Sequence, residues 1–176
     1  LACEGLEGCD PLELEIDSRI QFRDGMSTKE IQKILIQTAI EKVIYIDKNN
    51  YDNSASKKTN INWQYVAARL LAFDLYKEAK INRNYSHFGY GDFLSLVKKL
   101  VNMGLYGKYL IENYSDEEIK ELSEYIEPKR DELFNYEGLK LLNDRYLIKG
   151  FNGEILELPQ ERFMVIAMHL AIPEGK

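Results

Sequence analysis

Along most of this chain apolar residues recur at the three-and-four spacing of a helix buried on one side, and in one place only at the spacing of two that marks a strand. In DPLELEIDSRIQF, Asp10 is placed as an N-cap with Pro11 at the first helical position. Leu12, Ile16 and Ile20 then recur every four residues and make one face of a short amphipathic helix. That helix is expected to end near Arg23-Asp24-Gly25, where glycine accepts the positive φ of a turn. In MSTKEIQKILIQTAIEKVIYI, Ser27 and Glu30 have the spacing of a capping box, and Ile31, Ile34, Leu35, Thr38, Ala39 and Lys42 or Val43 form a buried stripe, so one helix is predicted across the stretch. From Asp47 to Ile61 the chain is too polar, and too rich in Asn and Ser, to pack, which predicts a mobile loop. NWQYVAARLLAFDLYK then opens a helix from about Asn62 to Lys80.

A second loop, NRNYSHFGYG, leads into GDFLSLVKKLVNMGLYG. There Phe93, Leu96, Val97, Leu100 and Val101 face inward, Asp92 lies near the positive end of the helix dipole and Gly104 marks the exit. Ser115 and Glu118 repeat the capping-box spacing, and Pro128 stops that helix. NYEGLKLLNDRYL is helical again. The period then changes, because RYLIKGFNGEILELP alternates about Asn152-Gly153, the pair favoured at the centre of a type I′ turn. After Pro159, QERFMVIAMHLA restores the helical period. The expected fold class is mainly α, a helical bundle with one β-hairpin near the C-terminal end.

Composition narrows the function classes. The 176 residues are 45% hydrophobic and 30% charged, the balance of a chain that builds its own core. The net charge of -6 comes without a stripe of Lys or Arg, which argues against nucleic acid as a partner. Apolar runs such as VIYI fall far short of the ~20 residues that span a bilayer, so no membrane partner is expected. Cys3 and Cys9 are near enough in sequence for a bridge, but no framework of four or six cysteines accompanies them, and they read as reduced thiols of a cytoplasmic protein. The chain opens on Leu1 without Met, shows no secretory signal, and reads as a piece of something longer.

His87 and His169 lack partners at metal-ligand spacing, so no metal is expected, and His169 reads as a core or boundary residue of an apolar helix. No phosphate-binding glycine loop and no nucleophile elbow occurs. The acidic stretches SDEEIKE and ERFM read as solvated helix ends, and no catalytic residue emerges. What remains is Arg69, Phe73 and Lys77, spaced i, i+4, i+8 on one stripe. An aromatic ring between two cations suits a base and a phosphate. The alternative is that Asp74 pairs Lys77 and Arg69 lies across Tyr65, on the wet side of a core helix.

IQFRDGMSTKEIQKILIQTA, NWQYVAARLLAFDLYKEA, YGDFLSLVKKLVNMGLY, LIENYSDEEIKEL, EPKRDELFNYEGLKLLNDRYLIK and PQERFMVIAMHLA resemble, in that order, the N-terminal part of the large, catalytic subunit of aerobic ribonucleotide reductase. The resemblance implies a parent that reduces ribonucleoside diphosphates with cysteine and thiyl-radical chemistry inside an α/β barrel. It also implies a homodimeric large subunit and a separate radical-generating small subunit that holds metal. Many members carry an ATP cone whose occupation by ATP or dATP switches activity. By the resemblance, residues 1–46 correspond to the later helices of such a cone, 47–61 to a polar loop longer than usual, and 62–176 to the N-terminal helical domain. The implied nucleotide site comprises Thr28, Phe73 and Lys77, with Gln32 facing the same pocket. By the resemblance, the cone's phosphate-binding hairpin is expected upstream of Leu1, outside this piece. The catalytic cysteines are expected beyond Lys176, unmatched by Cys3 and Cys9, so the piece is expected to hold no cofactor and to be non-catalytic. Two other readings remain. One is a free-standing helical module binding nucleotide or protein; the other is a purely packing element that exposes Phe163, Met164, Ala167 and Leu170.

Overall fold

Helices start where the sequence supplies an acceptor for their first amides. The computed structural model describes residues 1–20, 23–46 and 57–175. Helix α1 spans Pro11–Ser18, with the Leu12 amide donating to Asp10 Oδ1 at 2.8 Å, and it ends at Arg19 in the left-handed region (φ 48°). Helix α2, Thr28–Lys42, opens on the full capping box: the Glu30 amide donates to Ser27 Oγ at 3.2 Å and the Ser27 amide to the Glu30 carboxylate at 2.8 Å. Strands β1 (Ile44–Ile46) and β2 (Lys57–Thr59) pair antiparallel, with Tyr45 opposite Lys58. Helix α3 is Asn62–Arg83, α4 Phe93–Asn102, α5 Tyr109–Asn113 and α6 Asp116–Ser123. A 3₁₀ turn covers Pro128–Leu133, α7 is Tyr136–Arg145, α8 is Pro159–Ala171, and a last 3₁₀ turn covers Ile172–Glu174. The fold is mainly helical. Among the described residues no helix is long and apolar enough to cross a membrane.

Four expectations need correction. The helix predicted through VIYI stops at Lys42, and Ile44–Ile46 extends into β1, consistent with the strand preference of β-branched residues. Of the predicted loop 47–61, residues 47–56 lie outside the described residues, whereas Lys57–Thr59 form β2 and Asn60 Oδ1 accepts the Asn62 amide at the start of α3. On α1 the repeating Leu12 and Ile16 are 60% and 65% exposed, while Leu14 is buried. Glu13 and Asp17 bind Lys42, and this turns the Leu12–Ile16 face outward.

The predicted C-terminal β-hairpin does not form. A turn closes from Gly153 N to Gly150 O (2.9 Å), centred one residue earlier than expected on Phe151 and Asn152, and a single antiparallel bridge joins Lys149 and Ile155. The ladder stops there because side chains take the backbone groups that would extend it. The Ile148 amide donates to Glu157 (2.7 Å), Ile155 O accepts from Asn82 (2.9 Å), and the Leu158 amide donates to Glu161 (2.8 Å).

The chain divides into two compact units. The first, Leu1–Asp74 with Glu132–Lys140, is built on Leu14, Ile36, Ala39, Trp63, Val66 and Leu70, together with both cysteines. Lys42 is buried within it, its ammonium bonded to Glu13 (2.5 Å) and to Asp17 and lying 4.9 Å over the Trp63 ring. A buried ammonium is tolerable only when its charge is met, and two carboxylates and an aromatic face meet it here.

The second unit, Leu75–Asp131 with Leu141–Lys176, packs Phe93, Leu96, Val97 and Leu100 of α4 against Leu110, Ile119, Val165 and Met168. The start of α8 is locked by buried polar groups. Glu161, wholly buried, takes Arg83 through both oxygens (2.7 and 2.9 Å) and caps the Leu158 amide. Glu157, equally buried, accepts from Tyr106 and the Ile148 amide, with Arg162 at 3.9 Å. Asp131 accepts from Tyr76 (2.6 Å), Tyr90 (2.7 Å) and Gln160 Nε2 (2.7 Å). Burial pushes all three carboxyls up, Glu161 to about 7 against the pull of Arg83.

These clusters make two checkable statements. A carboxyl whose folded pKa is raised contributes stability that is complete below its unfolded value near 4.3 and is lost as pH rises through the folded value. Urea unfolding of the chain followed by Tyr absorbance is therefore expected to lose stability between pH 5 and pH 8, by an amount on the order of 1–3 kcal/mol. Lys42→Ala removes two charge-assisted bonds, the cation–π contact and the packing of the stem. A loss of about 2 kcal/mol in urea titration, with faster amide exchange in α1, is expected.

Candidate functional site

The residues singled out for a nucleotide start from the N-terminus of α2. Thr28 is its first residue and is exposed, and Gln32 lies one turn on, on the same side of the helix. Gln32 Nε2 donates to Leu70 O at 2.6 Å, which fixes this face of α2 to the main chain of α3 within the first unit. Phe73, three residues along α3 from Leu70, is partly buried. Thr28, Gln32 and Phe73 all belong to the first unit, whereas Lys77, exposed and one turn further along α3, belongs to the second.

The capping box sets the electrostatics at Thr28. Bonds from the Ser27 amide and hydroxyl hold the Glu30 carboxyl below its ordinary range, and Arg23 stands 3.7 Å away. A helix N-terminus that already carries its own carboxylate suits hydroxyls better than phosphate oxygens.

Arg69 leaves the predicted stripe. Its Nη1 donates to the carbonyls of Glu4 (2.6 Å) and Ala2 (3.3 Å), and its Nη2 meets Glu132 at 3.2 Å, with 14% of the side chain exposed. It fastens residues 1–4 to α3. No sequence pattern announces this, because the partners are main-chain carbonyls more than sixty positions away.

The remaining candidate groups carry little chemistry. His87 and His169 are both exposed. His169 packs its ring edgewise on Tyr109 at 5.2 Å, which corrects the core or boundary reading. Both cysteines are buried and free. Burial pushes each thiol up, Cys9 to about 11 with Cys3 adding to the effect, so neither is poised as a thiolate. Among the described residues no three His, Cys, Asp or Glu side chains converge as a metal site. The acidic stretch ERFM departs from the expected solvated helix end, because Glu161 is fully buried. The available signal was Pro159 at the first helical position with Glu161 two residues on, where a carboxylate turns back to cap the Leu158 amide.

Known proteins supply an independent line. The family described as "Ribonucleotide reductase, all-alpha domain" matches residues 132–176. Ribonucleoside-diphosphate reductase subunit alpha of Helicobacter pylori is 40% identical over 170 residues, 97% of this chain and 19% of the relative. Ribonucleoside-diphosphate reductase 1 subunit alpha of Escherichia coli is 34% identical over 167 residues, covering 94% and 20%. Subunit alpha of enterobacteria phage T4 is 36% identical over 170 residues, covering 96% and 20%. The chain thus spans about a fifth of the length of these relatives. With its helical elements and its match running over nearly its whole length, the chain belongs to the family of ribonucleoside-diphosphate reductase alpha subunits, as their N-terminal part.

Proposed function

We propose that this chain serves as the regulatory and structural N-terminal portion of an enzyme that reduces ribonucleoside diphosphates to deoxyribonucleotides in the cytoplasm. The observation that carries this reading is the 40% identity sustained over 97% of the chain to a named alpha subunit. In this reading the chain performs no chemistry itself. Its two thiols are buried and protonated, which supports leaving the reducing cysteines to other parts of the parent. A radical-generating small subunit and a second copy of the large subunit are the partners of the parent.

We assign residues 1–46 to a partial ATP cone, 47–61 to the segment that joins it onward, and 62–176 to the helical domain. ATP or dATP is the effector. Thr28 offers its hydroxyl to the ribose, Phe73 its ring to the base and Lys77 its charge to the phosphates, while Gln32 holds α2 against α3 through Leu70. The ionised Glu30 beside Thr28 favours ribose over phosphate at that end. Regulation then requires that occupancy be felt differently in two states of the parent, since an effector shifts an equilibrium only by its differential affinity.

The test is calorimetric titration of ATP and dATP into the chain carried in its full-length parent. Saturable binding is expected, weakened about tenfold by Lys77→Ala and by Phe73→Ala. Gln32→Ala is expected to weaken binding by loosening α2 from α3, together with a drop in melting temperature. Unchanged affinity in both the Lys77 and Phe73 variants sinks the assignment of these residues.

A further inference from the structure

A cavity of about 300 Å³ opens in the first unit, lined by Ile40, Glu41 and Val43 at the C-terminal end of α2, Gln64 in the first turn of α3, and Tyr136 and Glu137 at the start of α7. Its walls divide by chemistry. Ile40, Val43 and Tyr136 are partly buried and pack on the apolar core, which gives the cavity a greasy floor. Glu41 and Glu137 are exposed carboxylates, and Glu41 is steadied by Gln37 Nε2 at 2.8 Å. The Gln64 amide, the Tyr136 hydroxyl and the Glu137 carboxylate have no hydrogen-bond partner among the described residues, so polar groups line a hollow without being used by the fold.

Among the described lining residues the charge of this hollow has one sign, and no Lys or Arg is among them. Helix α2 runs for 15 residues and brings the negative end of its dipole to the cavity, while Lys42, the basic residue of its last turn, is turned into the core toward Glu13 and Asp17. A nucleotide phosphate is repelled from such a place, which separates it from the effector site proposed above. Its volume is at the lower end for small-molecule sites.

We propose that this cavity binds an organic cation, an alkylammonium or guanidinium group on a short carbon chain. The chain lies on Ile40, Val43 and the Tyr136 ring, and the charge is met by Glu41 and Glu137. The same chemistry is offered by a free aliphatic amine and by a lysine or arginine side chain of a polypeptide.

Calorimetry on the intact chain with agmatine, and with a blocked tetrapeptide carrying one arginine, tests this, with succinate as the oppositely charged control. Saturable binding is expected for at least one cation, weakened about tenfold by Glu137→Gln and by Glu41→Gln, with no uptake of succinate. Both substitutions are at exposed positions, and an unchanged melting temperature checks that the fold is intact. Tighter binding of agmatine identifies a free amine as the natural occupant, and tighter binding of the peptide identifies a side chain. The proposal is overturned if neither cation saturates by about 10 mM, if both variants bind as the parent sequence does, or if succinate binds equally well.

Discussion

A charge withdrawn from water has to be matched where it lies, and each unit of this protein is organised around that constraint. In the first, the Lys42 ammonium draws Glu13 and Asp17 of α1 onto α2 and sits over Trp63. In the second, Arg83 and Glu161 close a buried ion pair while Glu157 and Asp131 are satisfied by tyrosines, the Ile148 amide and Gln160. Removing a carboxylate that faces Lys42, or either member of the Arg83–Glu161 pair, leaves a buried charge less well met, so these contacts specify geometry more than they add net stability.

That constraint explains the segment before α8. Residues 147–158 have the alternation and turn chemistry of a hairpin, yet Glu157 and Glu161 need donors and take them from the backbone at Ile148 and Leu158, while Asn82 takes the carbonyl of Ile155. The ladder loses the groups that would have extended it. What results is a tight turn leading to a helix whose first residues are held from several sides, with Gln160 bonded through its amide to Tyr90 and through its side chain to Asp131.

The candidate nucleotide residues were legible only in part. Thr28 and Gln32 follow from the family resemblance alone, whereas Phe73 and Lys77 also share a stripe at a spacing of four. Arg69 carried an equally good signal and turned out to bind main-chain carbonyls of residues 2 and 4 together with Glu132. Helical spacing establishes which side chains share a stripe. It carries no information on which distant backbone oxygens will come within reach of them.

The sequence by itself determined the helix starts, at Asp10, Ser27, Asp92 and Ser115, and the inward face of α4, because a cap and its amide, or residues one turn apart, meet through local geometry alone. Only the tertiary structure decided that Leu12 and Ile16 face outward, that Ile44–Ile46 leaves the helix to pair with Lys57–Thr59, and that Glu161 is buried. Each of those outcomes depends on a partner between eleven and seventy-eight residues away (Ile46 with Lys57, Lys42 with Glu13 or Asp17, and Arg83 with Glu161), and a partner's arrival is a property of the packed chain.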